Sequence, residues 1–118
     1  MRYISLIKAV EGKFGSPPAA LMQAIGNLGL ESVLIDTAGI GPTSSGTLIR
    51  VADGKVSVSN GPFAAGEEVA SGYAVFEAAT KEDAVAFAKG FMDLHAKHWP
   101  EWQGVSEVRP LFGPPRPT

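Results

Sequence analysis

The stretch Asp53-Gly54-Lys55-Val56-Ser57-Val58-Ser59-Asn60-Gly61-Pro62-Phe63 constrains the fold of this chain more than any other, because it sets two turn signals around one short strand. Thr47 to Ala52 and Lys55 to Ser59 read as strands, and Asp-Gly between them suits a type I′ turn, whose two central residues take positive φ. A β-hairpin is therefore expected. The Gly61-Pro62 pair then bends the chain away, since proline cannot donate to a continuing strand ladder.

The flanking segments follow from hydrophobic periodicity. Arg2 to Val10 alternates as a strand, with Ile4, Leu6 and Val10 on one face and Tyr3, Ser5, Ile7 and Ala9 on the other. Ser16 and Pro17 suit a helix start, Leu21, Ile25 and Leu28 recur at helical spacing, and Gly29 suits a helix stop. Glu31 to Thr37 reads as a second strand, and Ala38 to Gly46 as a loop. Val69 to Ala78 reads as a long strand whose small residues Ala70, Gly72 and Ala74, with Phe76, predict close helix packing. Thr80 with Asp83 resembles a capping box and opens a second helix with the stripe Ala84, Ala88, Phe91, His95 and His98. Pro100 ends that helix near Trp99. Gly104 to Leu111 reads as the last strand, followed by a proline-rich tail at 113–118.

Leaving out the hairpin, the order is strand, helix, strand, strand, helix, strand. This predicts an α+β, ferredoxin-like four-stranded antiparallel sheet with two helices on one face and an inserted β-hairpin. Apolar residues on both faces of several strands, such as Ile4 and Ile7 or Tyr73 and Phe76, need cover that two helices on one face do not supply. A homodimer with facing sheets is the economical solution.

Composition narrows the function classes. The chain has 118 residues, 45% of them hydrophobic and 19% charged, which fits one globular domain, expected over 1–112. No apolar run reaches the roughly 20 residues of a membrane span, and the N-terminal segment lacks a signal-peptide pattern, so a cytoplasmic location is expected. Without cysteine there is no disulfide, thiolate metal site or cysteine nucleophile. A net charge of -2 with dispersed basic residues gives no face for a phosphate backbone, so nucleic acid is not an expected partner. Gly39-Ile40-Gly41 lacks the following helix of a dinucleotide site, and no serine sits in a nucleophile elbow.

Asn60-Gly61-Pro62-Phe63 and Glu107-Val108-Arg109-Pro110 resemble the YCII-related proteins, the DGPF-domain family named for an Asp-Gly-Pro-Phe tetrapeptide. The resemblance runs from Tyr3 to Leu111. Leu94 to Gly104 also looks like a recurring segment of one subgroup. The resemblance implies a dimeric α/β barrel and, in the wider family, a proposed histidine–aspartate acid-base pair. This chain departs from that pattern. Its first helix has no histidine, and Asn60 stands where the family has aspartate, so it can hydrogen-bond a ligand but cannot serve as a general base.

The candidate site residues follow from side-chain chemistry. His95 and His98 are the only histidines and sit three apart on one helical side, suited to proton transfer or polar anchoring, or alternatively to capping the helix C-terminus. Two histidines alone supply too few ligands for zinc, so neither metal nor cofactor is expected. Asn60 reads either as a turn former or as a ligand contact, and Phe63 as a core plug or a stacking platform. Arg50 and Arg109 can orient an anionic or carbonyl-bearing ligand, or pair outward, Arg109 with Glu107. Glu107, Glu67 and Glu68, with Asp36 less central, are the candidate carboxylates, and Trp99 with Trp102 can wall a pocket. The expected protein is a homodimer with a small-molecule pocket between the sheet, the second helix and the hairpin; a non-catalytic binding or interaction domain is the alternative.

Overall fold

The computed structural model describes residues 1–31 and 33–113; the expected tail from Pro114 onward lies outside the described residues. The elements are β1 (Arg2–Val10), α1 (Ala19–Glu31), β2 (Leu34–Gly39), a 3-10 turn (Thr43–Ser45), β3 (Thr47–Ala52), β4 (Lys55–Asn60), β5 (Glu68–Glu77), α2 (Lys81–His98) and β6 (Val105–Pro110). The strands form a four-stranded sheet in the order β2-β5-β1-β6 and a separate two-stranded sheet, β3-β4. Every pairing is antiparallel. The protein is thus mixed α+β.

β1 runs through the middle of the larger sheet, and its alternation decides where the core lies. Tyr3, Ser5, Ile7 and Ala9 are buried, whereas Ile4, Leu6, Lys8 and Val10 are half-buried. Tyr3 and Phe76 pack with Ala84 and Ala88 of α2, while Ile7, Ala74 and Phe91 form a second cluster that Ile25 and Leu28 of α1 join. Both helices therefore cover the same sheet face. Small side chains at Ala74, Ala84 and Ala88 allow that close approach, and fully burying Phe76 and Phe91 stabilises by about 1.5–3 kcal/mol each.

The first half of the expected capping box forms at α2, where Thr80 Oγ1 accepts from the Asp83 backbone N–H at 3.1 Å. Its C-cap is Trp99, whose N–H donates to the His95 carbonyl at 2.8 Å, with Pro100 next. At the hairpin turn Asp53 and Gly54 both have positive φ, 53° and 72°, as a type I′ turn requires.

Four local expectations differ from the structure. α1 begins at Ala19, two residues beyond Pro17, and the amides of Leu21 and Met22 bond to the Pro18 carbonyl. It continues past Gly29, which has no left-handed backbone and so cannot form the expected stop. The second strand consequently starts later, at Leu34, and extends to Gly39. In β5 a register shift opposite Ile7 and Lys8 interrupts the alternation before Ala70, so the buried face holds Gly72, Ala74 and Phe76 without Ala70.

The hairpin stands away from the main body. Every residue of β3 and β4 except Leu48 is exposed. Cross-strand pairs Ile49–Val58 and Val51–Val56 share one face, and Arg50–Ser57 and Ala52–Lys55 share the other. Among the described residues no helix is long and apolar enough to cross a membrane.

Candidate functional site

A cavity of about 540 Å³ lies between α1, α2 and the helix-covered face of the sheet. Its size falls within the range typical of small-molecule sites, and its walls are mainly apolar. Leu21 and Ile25 come from α1, Phe91 and His95 from α2, and Trp99 and Trp102 from the chain after it. Ile7 and Ala9 of β1 form part of the sheet wall. The hairpin strands do not line it; Ile40 and Pro42, ahead of them, do.

α2 places His95 through the same periodicity that builds the core. Ala84, Ala88, Phe91 and His95 follow one another at spacings of four, three and four, and all four are buried. His95 is only 7% exposed. Its Nδ1 lies 3.2 Å from the Phe91 carbonyl one turn back. A carbonyl only accepts, so Nδ1 carries the proton and Nε2 presents a lone pair. The ring is tilted between Phe91 and Trp102, with centroids at 5.5 and 5.0 Å. Burial pushes its pKa below the ordinary 6.5, partly opposed by the Phe91 bond. The neutral imidazole is thus the resting form at neutral pH.

The expected residues separate into several places. His95 and Trp99 meet in the cavity, joined by Trp102, whose ring stacks on Trp99 at 5.9 Å. His98 is half-exposed at the end of α2 and does not line the cavity. Asn60 ends β4 and accepts a 3.2 Å hydrogen bond from Thr47 Oγ1. Phe63 packs against the 3-10 turn beside Gly46 and likewise stays outside the cavity. Arg50 is exposed on the hairpin.

Glu107 and Arg109 occupy the open face of the sheet. Lys8 donates to Glu107 at 2.8 Å and Arg109 approaches it at 3.4 Å. The Lys8 hydrogen bond, followed by its charge, holds the Glu107 carboxyl below its ordinary 4.5. Asp36 is on this face too, accepting from the Tyr73 hydroxyl at 2.9 Å, a bond that raises the Tyr73 pKa. Glu67 and Glu68 are exposed. Among the described residues no cluster of three or more histidine, cysteine, aspartate or glutamate side chains could hold a metal ion.

Two polar residues of the lining, Glu11 and Thr37, were not among the expected site residues. Glu11, in the turn after β1, accepts from the Thr43 amide at 2.5 Å and from its hydroxyl at 2.8 Å. It ties the cavity rim to the 3-10 turn across 32 positions, a link that no short-range pattern reveals. Thr37 lines the cavity from β2 and donates its hydroxyl proton to the Tyr73 carbonyl at 2.7 Å. Its place on a predicted strand was a usable signal, but the register that turns it inward depends on pairing with Ala74.

The Gly61-Pro62 bend is structural in its contacts. The Gly61 amide donates to the Gly46 carbonyl at 2.8 Å, and a Cβ on Gly61 would fall 1.7 Å from the Thr43 carbonyl oxygen. Only glycine fits there. Thr43 thus joins Glu11 on one side and the bend on the other. The chain matches no family model and no curated protein.

Proposed function

We propose that this protein binds a small molecule in the cavity between α1, α2 and the sheet, with His95 as the group able to hold or accept a proton. The observation that carries this reading is one imidazole, nine-tenths buried, with Nδ1 engaged and Nε2 left without a partner among the described residues. A neutral imidazole in an apolar cavity is suited to general-base work or to anchoring a ligand. Trp99 and Trp102 would wall the ligand. His98, Asn60, Phe63, Arg50, Arg109 and Glu107 have no direct part in this version of the site.

The resemblance to YCII-related proteins belongs to the same proposal. The strand order β2-β5-β1-β6 supports a ferredoxin-like reading, and the half-buried Ile4, Leu6 and Val75 on the open face support a homodimer of facing sheets, as in a dimeric α/β barrel. A cytoplasmic location goes with this reading. In the test, compounds that raise the melting temperature in a metabolite screen should stop doing so in His95→Phe and in Ile25→Trp, which fills the cavity. Undiminished stabilisation of both folded variants would remove the cavity from consideration.

A second reading, a non-catalytic homodimeric interaction domain, is favoured by the hairpin. Ile49, Val51, Val56 and Val58 are 65–71% exposed on one face, an apolar surface suited to contact with a second copy.

A further inference from the structure

The polar groups of the cavity differ in what they can still offer a ligand. His95 has its Nδ1 proton on the Phe91 carbonyl, Thr37 its hydroxyl proton on the Tyr73 carbonyl, and Ser71 its hydroxyl proton on the Ile7 carbonyl at 3.3 Å. Glu11 is an acceptor already engaged by Thr43. Each therefore has lone pairs to offer and no side-chain proton. The remaining side-chain donors of the lining are the exposed Ser16, the Tyr73 hydroxyl, which Asp36 occupies on the opposite sheet face, and two uncharged indole N–H groups.

Charge points the same way. No lysine or arginine lines the cavity among the described residues. Lys8 and Arg109 are turned to the other face, where they share the Glu107 carboxylate, and Arg50 is on the hairpin. Lys13 sits over the Phe14 ring at 5.5 Å and lines a smaller cavity that shares Val10 and Phe14 with this one, but it does not line the main cavity itself. An anionic ligand would lose its hydration next to the Glu11 carboxylate with no cation to offset the loss.

We propose that the cavity takes a neutral, largely apolar molecule bearing one hydroxyl or N–H group, which donates its proton to Nε2 of His95. This inference rests on the cavity being the ligand site. Nε2 belongs to a residue only 7% exposed, has no hydrogen-bond partner among the described residues and opens on the cavity, so a ligand that covers it without offering a donor leaves it desolvated. Sites built around such a group reject analogues that cannot complete the bond far more strongly than apolar walls reject a change of shape.

Three probes of matched shape test it by calorimetry: naphthylmethanol, its methyl ether and naphthoate. The alcohol should bind at least about tenfold tighter than either of the others, and nitrogen NMR should report a shift of the His95 Nε2 resonance with the alcohol alone. In His95→Phe the preference for the alcohol over the ether should shrink to within about twofold. Should that variant fail to fold, the comparison of the three probes on the native protein still decides. Binding of the ether or of naphthoate as tightly as the alcohol would overturn the inference while leaving the cavity as a binding site. Failure of all three to bind would overturn both.

Discussion

His95 donates its Nδ1 proton to the carbonyl of Phe91 at 3.2 Å, and this bond turns the other ring nitrogen into the free acceptor of the cavity. The same two residues pack side by side, with ring centroids 5.5 Å apart, so the imidazole has little freedom to rotate. Position, tautomer and burial are thus set together by one turn of α2.

The pH dependence of stability follows from the lowered pKa of His95. On unfolding the ring returns to its ordinary 6.5, so below that value the unfolded chain takes up a proton before the native one does. The contribution of a neutral His95 is complete above 6.5 and is lost as pH falls from there toward the depressed native value. Urea midpoints measured between about pH 8 and about pH 5.5 should decline in the native protein and decline less in His95→Phe. Equal slopes for both would show that His95 is not the titrating group.

At lower pH a second loss is expected from Glu107. Its carboxyl is held down by Lys8, so the stability it adds is present above 4.5 and disappears as pH falls through the native value. Glu107→Gln should flatten the acid limb of the stability profile while changing stability near neutrality little, as an exposed pair does. A larger change at neutral pH would mean that the open face is covered.

Two glycine substitutions should act in opposite directions. Gly61→Ala would drive a methyl group into the Thr43 carbonyl and should destabilise by at least about 2 kcal/mol in denaturant unfolding. Gly90, inside α2, has nothing within 4 Å of where its Cβ would be. Gly90→Ala should therefore stabilise by about 0.5–1 kcal/mol.

Glu11→Ala removes the acceptor of both the Thr43 amide and its hydroxyl. A loss of about 1–3 kcal/mol is expected, together with faster amide exchange at Thr43 and at Phe63, whose N–H reaches Thr43 Oγ1 at 3.4 Å. Unaltered exchange at both amides would show that Glu11 does not hold the turn.

The hairpin allows the alternative function to be checked separately. Ile49→Lys with Val58→Glu puts opposite charges on an exposed cross-strand apolar pair and should leave the melting temperature of a monomer nearly unchanged. If the hairpin face meets a second copy, the same pair should lower the dimer fraction measured by light scattering by about tenfold or more.

Much of the fold was legible because its cues are local. The alternation of Tyr3, Ser5, Ile7 and Ala9, the Asp53-Gly54 turn and the Thr80 cap each depend on a few neighbouring residues, and each matches the structure. The boundaries of α1 were less legible because Pro17 and Gly29 permit a start and a stop without requiring them. The site was legible in part. The stripe along α2 pointed to both histidines, but only His95 falls between Phe91 and Trp102, while His98, three residues on, lies half-exposed at the helix end and does not line the cavity.

The sequence by itself determined an α+β chain with an amphipathic second helix, an inserted hairpin and a Gly-Pro bend after it. Tertiary structure alone decided which polar groups meet. Hydrogen-bond partners 32 positions apart, such as Glu11 and Thr43, and the register that aims Thr37 into the cavity depend on how strands pair, and pairing is a property of the whole sheet. The asymmetry between the two faces of β1 was equally beyond local reading. Both faces carry apolar residues, and only the packing of α1 and α2 on one of them determines which face encloses a cavity around His95.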